Sequence, residues 1–121
     1  MQKSLSGLVF MNRFYSLGAA FFSPASPQGL NEPQFIRTNP SLANDLGLDP
    51  TVFSTDECLQ VCSGNLLLAG MQPLAQAYAG HQIGKFNPFL GDGRSVLLGG
   101  ITTEQDYLEW QLKGAGKTAY A

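Results

Sequence analysis

The sequence has little charge and no run of basic residues. Charged residues make up 13% of the 121 positions, and the formal net charge is −2. Proteins that bind nucleic acid need clustered cations to displace counterions from phosphates, so this distribution argues against a nucleic-acid partner. Hydrophobic residues make up 44% of the chain, which excludes a disordered class and predicts a folded protein.

Long apolar runs are also missing. No stretch reaches the roughly 18 to 20 apolar residues that a membrane-spanning helix requires. An apolar stretch from Leu5 to Met11 is interrupted by Asn12 and Arg13, which makes it short for a secretory signal. We therefore expect a cytoplasmic protein with no membrane partner.

Cysteine and histidine are scarce. The chain has two cysteines, Cys58 and Cys62, and one histidine, His81. The cysteine spacing fits no common zinc knuckle, and this inventory cannot fill a four-ligand site without carboxylates. We expect no metal site in this chain and two free, reduced thiols. For His81 we favour a structural role in a glycine-rich turn over a role as general base.

Proline is frequent in the first half of the chain. At that density it breaks regular structure, so we predict an extended, irregular segment from Ser23 to Gln34. The prolines concerned are Pro24, Pro27, Pro33, Pro40 and Pro50.

One short helix is predicted near residues 40–46. Asn39 is a good N-cap, a proline occupies the first helical position, and Gly47 is suited to end the helix in a left-handed conformation. Leu42 and Leu46 lie four residues apart, so we expect them to share its buried face.

Glycines and short apolar runs dominate the second half. Ser95 to Ile101 is typical of a strand, and Asp92-Gly93 just before it predicts a hairpin turn. The segment from Leu74 to His81 fits a strand or a short helix. So does Asp106 to Gly114, whose alternation as a strand would put Lys113 on the face opposite the core.

Two features of this half suit a phosphate group. Glycines allow close approach of backbone amides in Gly91-Asp92-Gly93-Arg94, and an arginine can bind phosphate oxygens with two N–H groups. Lys113 on a strand could reach the same phosphates. Taken singly, an ordinary turn and a solvated edge-strand lysine explain these residues more simply; the glycine turn, strand and lysine in that order are more specific.

Four segments resemble the selenoprotein O family, in the order and at the approximate spacing of that family. The two middle segments carry most of the specificity, and the resemblance covers most of the chain. The segments are Leu42 to Pro50, Met71 to Gln82, Leu90 to Arg94 and Leu112 to Gly116.

The resemblance implies a protein adenylyltransferase, which transfers AMP from ATP, with magnesium, to Ser, Thr or Tyr hydroxyls of other proteins. It also implies roles for particular residues. Gly91, Gly93 and Arg94 would contact the nucleotide phosphates, and Lys113 would be the strand lysine that holds them.

The resemblance further implies an α+β fold: an incomplete N-terminal lobe of a protein-kinase-like fold, with an antiparallel sheet, an irregular N-terminal extension and a short helix. Residues 1–65 would form the extension, and residues 66–121 part of the nucleotide-binding lobe. In this lobe, Asp106 to Gly114 would be a strand.

The family's catalytic aspartate and magnesium ligands have no counterpart in these 121 residues. We therefore expect no catalytic residue here, magnesium ligands outside this segment, and no transfer by this chain alone. We also expect uncovered apolar residues on the sheet, such as Val96, Leu98 or Leu108.

Two other classes of protein share parts of this pattern. Gly116-Lys117-Thr118 imitates the end of the phosphate-binding loop of P-loop NTPases, but Gln111 stands where that motif needs glycine. A small non-enzymatic β module, in which the glycines only make turns, is the other alternative. The absence of any ATP-dependent thermal shift would favour it.

Overall fold

The computed structural model describes residues 4–121, which form two short α-helices and five strands. Short 3-10 turns at Leu5–Gly7, Tyr15–Leu17 and Val52–Ser54 connect them. No helix in this range is long and apolar enough to cross a membrane. The helices are α1 (Pro40–Asp45) and α2 (Asp56–Cys62), and the strands are β1 (Phe22–Pro24), β2 (Leu74–Gln82), β3 (Lys85–Gly91), β4 (Ser95–Thr102) and β5 (Tyr107–Lys113).

All strand pairs are antiparallel, and the order across the sheet is β1-β2-β4-β5. The two segments whose pattern fitted a helix or a strand are both strands, β2 and β5. Strand β5 is antiparallel to β4, in agreement with the antiparallel sheet that the family resemblance implies. The α+β class is confirmed as well.

The strand β3 pairs with β2 on the same edge as β4 does. Leu74 of β2 faces Leu97 of β4, and a little further along β2 Ala77 faces Gly91 of β3. Because β3 and β4 are both antiparallel to β2, they run in the same direction. The chain from Lys85 to Thr102 is therefore one extended path along β2 that is interrupted by a kink.

The hairpin predicted at Asp92-Gly93 is wrong for this reason. A two-residue hairpin turn of the Asp-Gly type needs positive φ at both positions, and neither residue has it. The reversal lies instead at Ile83-Gly84, between β2 and β3, where φ is 53° and 73°. Pairing with β2 on both sides of the kink overrides the local Asp-Gly signal.

Helix α1 has the predicted ends. The Asn39 side chain accepts a hydrogen bond from the Leu42 amide, and Gly47 has φ of 73°. The amide of Leu48 donates to the Ala43 carbonyl, which completes a Schellman ending.

The predicted buried face of α1 is wrong in part. Ala43 and Leu48 are fully buried, whereas Leu42 is 43% exposed and Leu46 is half-buried. Because the helix has only six residues, its contact with the core centres on the small side chain of Ala43 and on Leu48, which follows Gly47.

Helix α2 was not predicted, although its N-terminal signals are in the sequence. The Thr55 hydroxyl accepts a hydrogen bond from the Cys58 amide. Asp56 and Glu57 occupy the first turn, where negative charge interacts favourably with the helix dipole. Cys58 and Val61 face the core.

The main core joins the N-terminal segments to one face of the sheet. Val96 and Leu98 of β4 are 1% and 2% exposed, so the expectation that they lie uncovered is wrong. Leu108 is 37% exposed, as expected. Val96 and Leu98 are covered by buried residues of the N-terminal segments and helices: Leu5, Ala43, Leu48, Val52, Cys58 and Val61.

Candidate functional site

The pairing of β4 with β5 brings Arg94 and Lys113 to one end of the sheet. Ser95 faces Lys113 across the two strands. One residue further out, the Arg94 carbonyl accepts a hydrogen bond of 2.8 Å from the Gly114 amide. The two cations, 19 residues apart in the sequence, are thus neighbours along the backbone ladder.

Both cationic side chains are exposed at this end. On the opposite face of β5, Trp110 packs against the main core and meets Phe10 edge-on, with ring centroids 5.7 Å apart. The alternation of a strand therefore puts Lys113 on the solvent side, as its pattern predicts.

Asp92 fixes the kink between β3 and β4. Its carboxylate oxygen Oδ2 accepts a hydrogen bond from the Gln76 amide at 3.1 Å and another from Gln111 Nε2 at 3.3 Å. Its own amide donates to the Gln76 carbonyl at 2.9 Å. Asp92 therefore fastens the kink to both β2 and β5, and its carboxylate binds these donors instead of either cation.

The coil after β5 packs onto the glycines of the kink. The Thr118 hydroxyl donates to the Asp92 carbonyl, and the Thr118 amide donates to the Gly93 carbonyl at 3.0 Å. A Cβ on Gly91 would lie 2.4 Å from the Tyr120 ring, so Gly91 is required by this packing. Gly93 has only ordinary neighbours at 3.5 Å or more.

This arrangement rules out the P-loop alternative for Gly116-Lys117-Thr118. A P-loop follows a parallel strand and opens a helix, whereas β5 is antiparallel and residues 117–121 form a coil. The Thr118 hydroxyl is engaged by a backbone carbonyl. Thr118 of this motif holds the kink in place.

Residues 4–121 contain no group of three or more His, Cys, Asp or Glu side chains placed to hold a metal ion. Cys58 and Cys62 are free thiols, as predicted, with their sulfurs 3.7 Å apart on α2. The hydrogen bond from Cys58 lowers the pKa of Cys62 to about 7, and the same pairing with burial raises the pKa of Cys58. His81 lies on β2, and its ring contacts Phe86 with centroids 5.0 Å apart.

The sequence names Gly91, Gly93, Arg94 and Lys113 as candidates, but it does not reveal the residues that hold this part of the backbone in place. In the sequence, Asp92 has the pattern of a turn residue, and Thr118 imitates the end of another motif. Tyr120 carried no signal, because its role is contact with a glycine that is distant in sequence.

Known proteins are similar to this chain over nearly its whole length. A model of the family described as "Protein adenylyltransferase SelO" matches residues 4–121. The relatives below are all described as "Protein nucleotidyltransferase YdiU". The protein from Albidiferax ferrireducens is 44% identical over 115 residues, covering 95% of this chain and 22% of the relative. The proteins from Clostridium perfringens (42% over 120 residues) and Photobacterium profundum (44% over 121 residues) each cover 98% of this chain, and 24% and 23% of the relative.

The match over nearly the whole chain shows its class: it belongs to a family of protein nucleotidyltransferases. Within that class, the chain is a member of the protein adenylyltransferase SelO family. It spans about a quarter or less of the length of these curated relatives.

Proposed function

We propose that this chain forms a phosphate-binding part of the nucleotide site in a protein adenylyltransferase. The enzyme would transfer AMP from ATP to Ser, Thr or Tyr hydroxyls of protein substrates. The observation that carries the proposal is that the backbones of Arg94 and Lys113 adjoin at one end of the β4–β5 pair, beside the kink at Gly91–Gly93, and that both side chains are exposed there.

The two cations suit different parts of a triphosphate. The planar guanidinium of Arg94 presents N–H groups that bind two phosphate oxygens at once. The ammonium of Lys113 is a compact charge on a flexible stem, and it can follow a phosphate oxygen whose charge changes during reaction. Both are exposed, so neither needs to break a buried contact before it binds an anion.

The kink supplies a fixed platform for these cations. The Asp92 carboxylate accepts hydrogen bonds from Gln76 and Gln111, and Thr118 donates to the carbonyls of residues 92 and 93, so these residues are tied to β2, β5 and the following coil. A fixed backbone matters because electrostatic catalysis depends on charges already held in place.

The proposed reaction joins the acceptor hydroxyl oxygen to the α-phosphorus of ATP and breaks the bond to pyrophosphate. The hydroxyl proton passes to a base. Negative charge on the phosphates is stabilised by Arg94 and Lys113, and magnesium, when bound, would neutralise part of the same charge. Within residues 4–121 we assign no group to the base or to the metal ligands.

We also propose the arrangement implied by the family resemblance for the domain. Residues 66–121 would be part of the N-terminal lobe of a kinase-like fold, and residues 1–65 an extension packed on it. The shared core of Leu48, Val61, Val96 and Leu98 supports close packing of the two parts.

The test is a chimera in which residues 4–121 replace the matching segment of the Photobacterium profundum relative. The assay measures labelled AMP incorporated from ATP into the enzyme itself and a generic protein substrate. We expect Lys113→Ala in the chimera to lower the rate roughly 10- to 1000-fold, the range for one electrostatic contact to a reacting group. Lys85→Ala, which removes an exposed lysine at the far end of β3, is the matched control and should leave the rate unchanged.

Full activity of the Lys113→Ala chimera would overturn the assignment of this residue. Transfer of AMP by the 121-residue chain alone would overturn the proposal that this chain binds phosphates while the base and the metal ligands lie outside it. A chimera that is folded, shows no thermal shift with ATP and transfers nothing would favour the non-enzymatic β module.

A further inference from the structure

The strongest feature outside the phosphate site is the pair of thiols on α2. Cys58 is 1% exposed and packed in the main core, whereas Cys62, one helical turn later, is exposed. Their sulfurs lie 3.7 Å apart, within hydrogen-bonding distance. Cys58 is thus placed to donate its S–H to a Cys62 thiolate that solvent and reagents can reach.

Cys62 also lines an apolar groove between the helices and β5, which we call the Cys62 groove. Its volume is about 320 Å³. Most of its walls are aliphatic and aromatic. Leu42 of α1 and Leu46, which follows α1, lie on one side, and Leu108, Trp110 and Leu112 of β5 lie on the other, where Glu109 and Gln111 also line the groove. A nucleophile therefore stands at the margin of a space that fits an alkyl chain.

We propose that Cys62 is a modification site for apolar electrophiles of the α,β-unsaturated aldehyde class, and that the Cys62 groove holds their alkyl chain. The thiolate sulfur forms a bond to the β-carbon of the aldehyde, and the electron pair of the C=C bond shifts towards the carbonyl. The α-carbon then takes a proton from water. Nothing leaves, and no oxidant is needed.

Two other uses of the thiols fit the geometry less well. A disulfide needs the sulfurs at about 2.05 Å and Cβ atoms about 3.5–4.5 Å apart, while residues at this helical spacing have Cβ atoms about 5–6 Å apart. Bridging them would distort α2 and the core around Cys58. A bound metal ion needs more ligands than the described part of the chain places nearby.

The low pKa of Cys62, about 7, supports this chemistry because the thiolate is the reactive form. The Cys58 hydrogen bond is its main cause. Addition of the aldehyde should therefore reach half its maximal rate near pH 7 in this chain.

The test compares crotonaldehyde with the longer-chain nonenal on the 121-residue chain, with adducts located by peptide mass spectrometry. N-acetylcysteine with the same two aldehydes corrects for their intrinsic reactivity. We expect adducts on Cys62 and a preference for nonenal about tenfold greater than that of N-acetylcysteine, because burial of each methylene in an apolar groove is favourable. Leu42→Gln should reduce this preference, and Leu66→Gln, a comparably exposed leucine that is not part of the groove lining, should not.

The experiment on the wild-type chain is enough to decide whether Cys62 is modified and whether the Cys62 groove holds the alkyl chain. The same chain-length preference as N-acetylcysteine, or adducts on Cys58, would overturn the proposal. So would a Cys58–Cys62 disulfide formed rapidly on exposure to a hydroperoxide. Cys58→Ala should move the half-maximal rate towards the ordinary cysteine pKa of about 8.5, and Cys58→Ser, which keeps a donor, should move it less.

Discussion

The Arg94 carbonyl is hydrogen-bonded to the Gly114 amide, 2.8 Å away, so Arg94 stands across the ladder from the residue that follows Lys113. The proposed nucleotide site uses both cations on one triphosphate. We expect Arg94→Ala in the chimera to lower AMP transfer about tenfold, less than Lys113→Ala, because backbone amides of the kink remain. The double variant should lose less than the product of the single losses, since the two sites are coupled. Strictly multiplicative losses in the labelled-AMP assay would show that they act independently.

Gly91 and Gly93 differ in what they touch, and this separates packing from function. A methyl group on Gly91 would meet the Tyr120 ring at 2.4 Å, whereas one on Gly93 meets nothing closer than 3.5 Å. Gly91→Ala should lower the free energy of unfolding by about 1–3 kcal/mol, the usual cost of overpacking. Gly93→Ala should change it by less than about 0.5 kcal/mol. Urea denaturation measures both, and Gly91→Ala should cost less in a Tyr120→Ala background. Equal losses for the two glycines would contradict the contact.

Gly47 ends α1 with φ of 73° and has no neighbour within 4 Å of an added Cβ. The cost of Gly47→Ala should therefore be backbone strain alone, about 1 kcal/mol. Gly47→Asn should cost less, because asparagine tolerates the left-handed region better. The comparison is made by thermal or urea denaturation; a larger loss for asparagine would argue against a purely conformational role.

The two thiols should differ in reactivity in the folded chain. A thiol reagent under denaturing, non-reducing conditions should count two per chain. Under native conditions Cys62 should react fast and Cys58 slowly, because Cys58 is 1% exposed. A count of zero in freshly purified protein would contradict the free thiols, and equal native rates would contradict the burial of Cys58.

Exposed apolar residues predict marginal stability for the 121-residue chain. The β2–β3 hairpin carries Phe89, 89% exposed, and Ile83, 105% exposed. We expect strong binding of a hydrophobic dye and an unfolding midpoint below about 65 °C. Phe89→Thr should reduce dye binding without lowering the midpoint. A sharp, concentration-independent transition above that temperature would contradict the prediction.

Local signals allowed prediction of the elements whose causes are local. The cap at Asn39, the left-handed end at Gly47 and the alternation in the second half of β5, from Trp110 to Lys113, depend on neighbours within a few residues, and each is as predicted. Family resemblance was needed to choose strand over helix for β5, because leucines four apart fit both periods.

The rest depends on contacts between distant segments. Asp92-Gly93 is a kink because β2 pairs with the chain on both sides of it. The residues near Asp92 in the sequence give no sign of that pairing. Leu98 is buried because α1 and α2 cover it from more than 30 residues away. At the candidate site, Arg94 and Lys113 could be named from sequence, but the roles of Thr118 and Tyr120 could not, since they lie in their contacts with the kink.

The bridge between Met11 and Gly100 has a consequence for the order in which the chain folds. Met11 exchanges two backbone hydrogen bonds with Gly100, and its carbonyl also accepts one from the Tyr107 hydroxyl, 96 positions along the chain. Closing so long a loop costs more entropy than forming the β4–β5 hairpin, whose strands are neighbours in sequence. The segment around Met11 should therefore pack last during folding and detach first during unfolding. In amide hydrogen exchange, the amides of Met11 and Gly100 should exchange well before those in the middle of β5. Exchange at those two amides would therefore report the first step in the opening of the sheet.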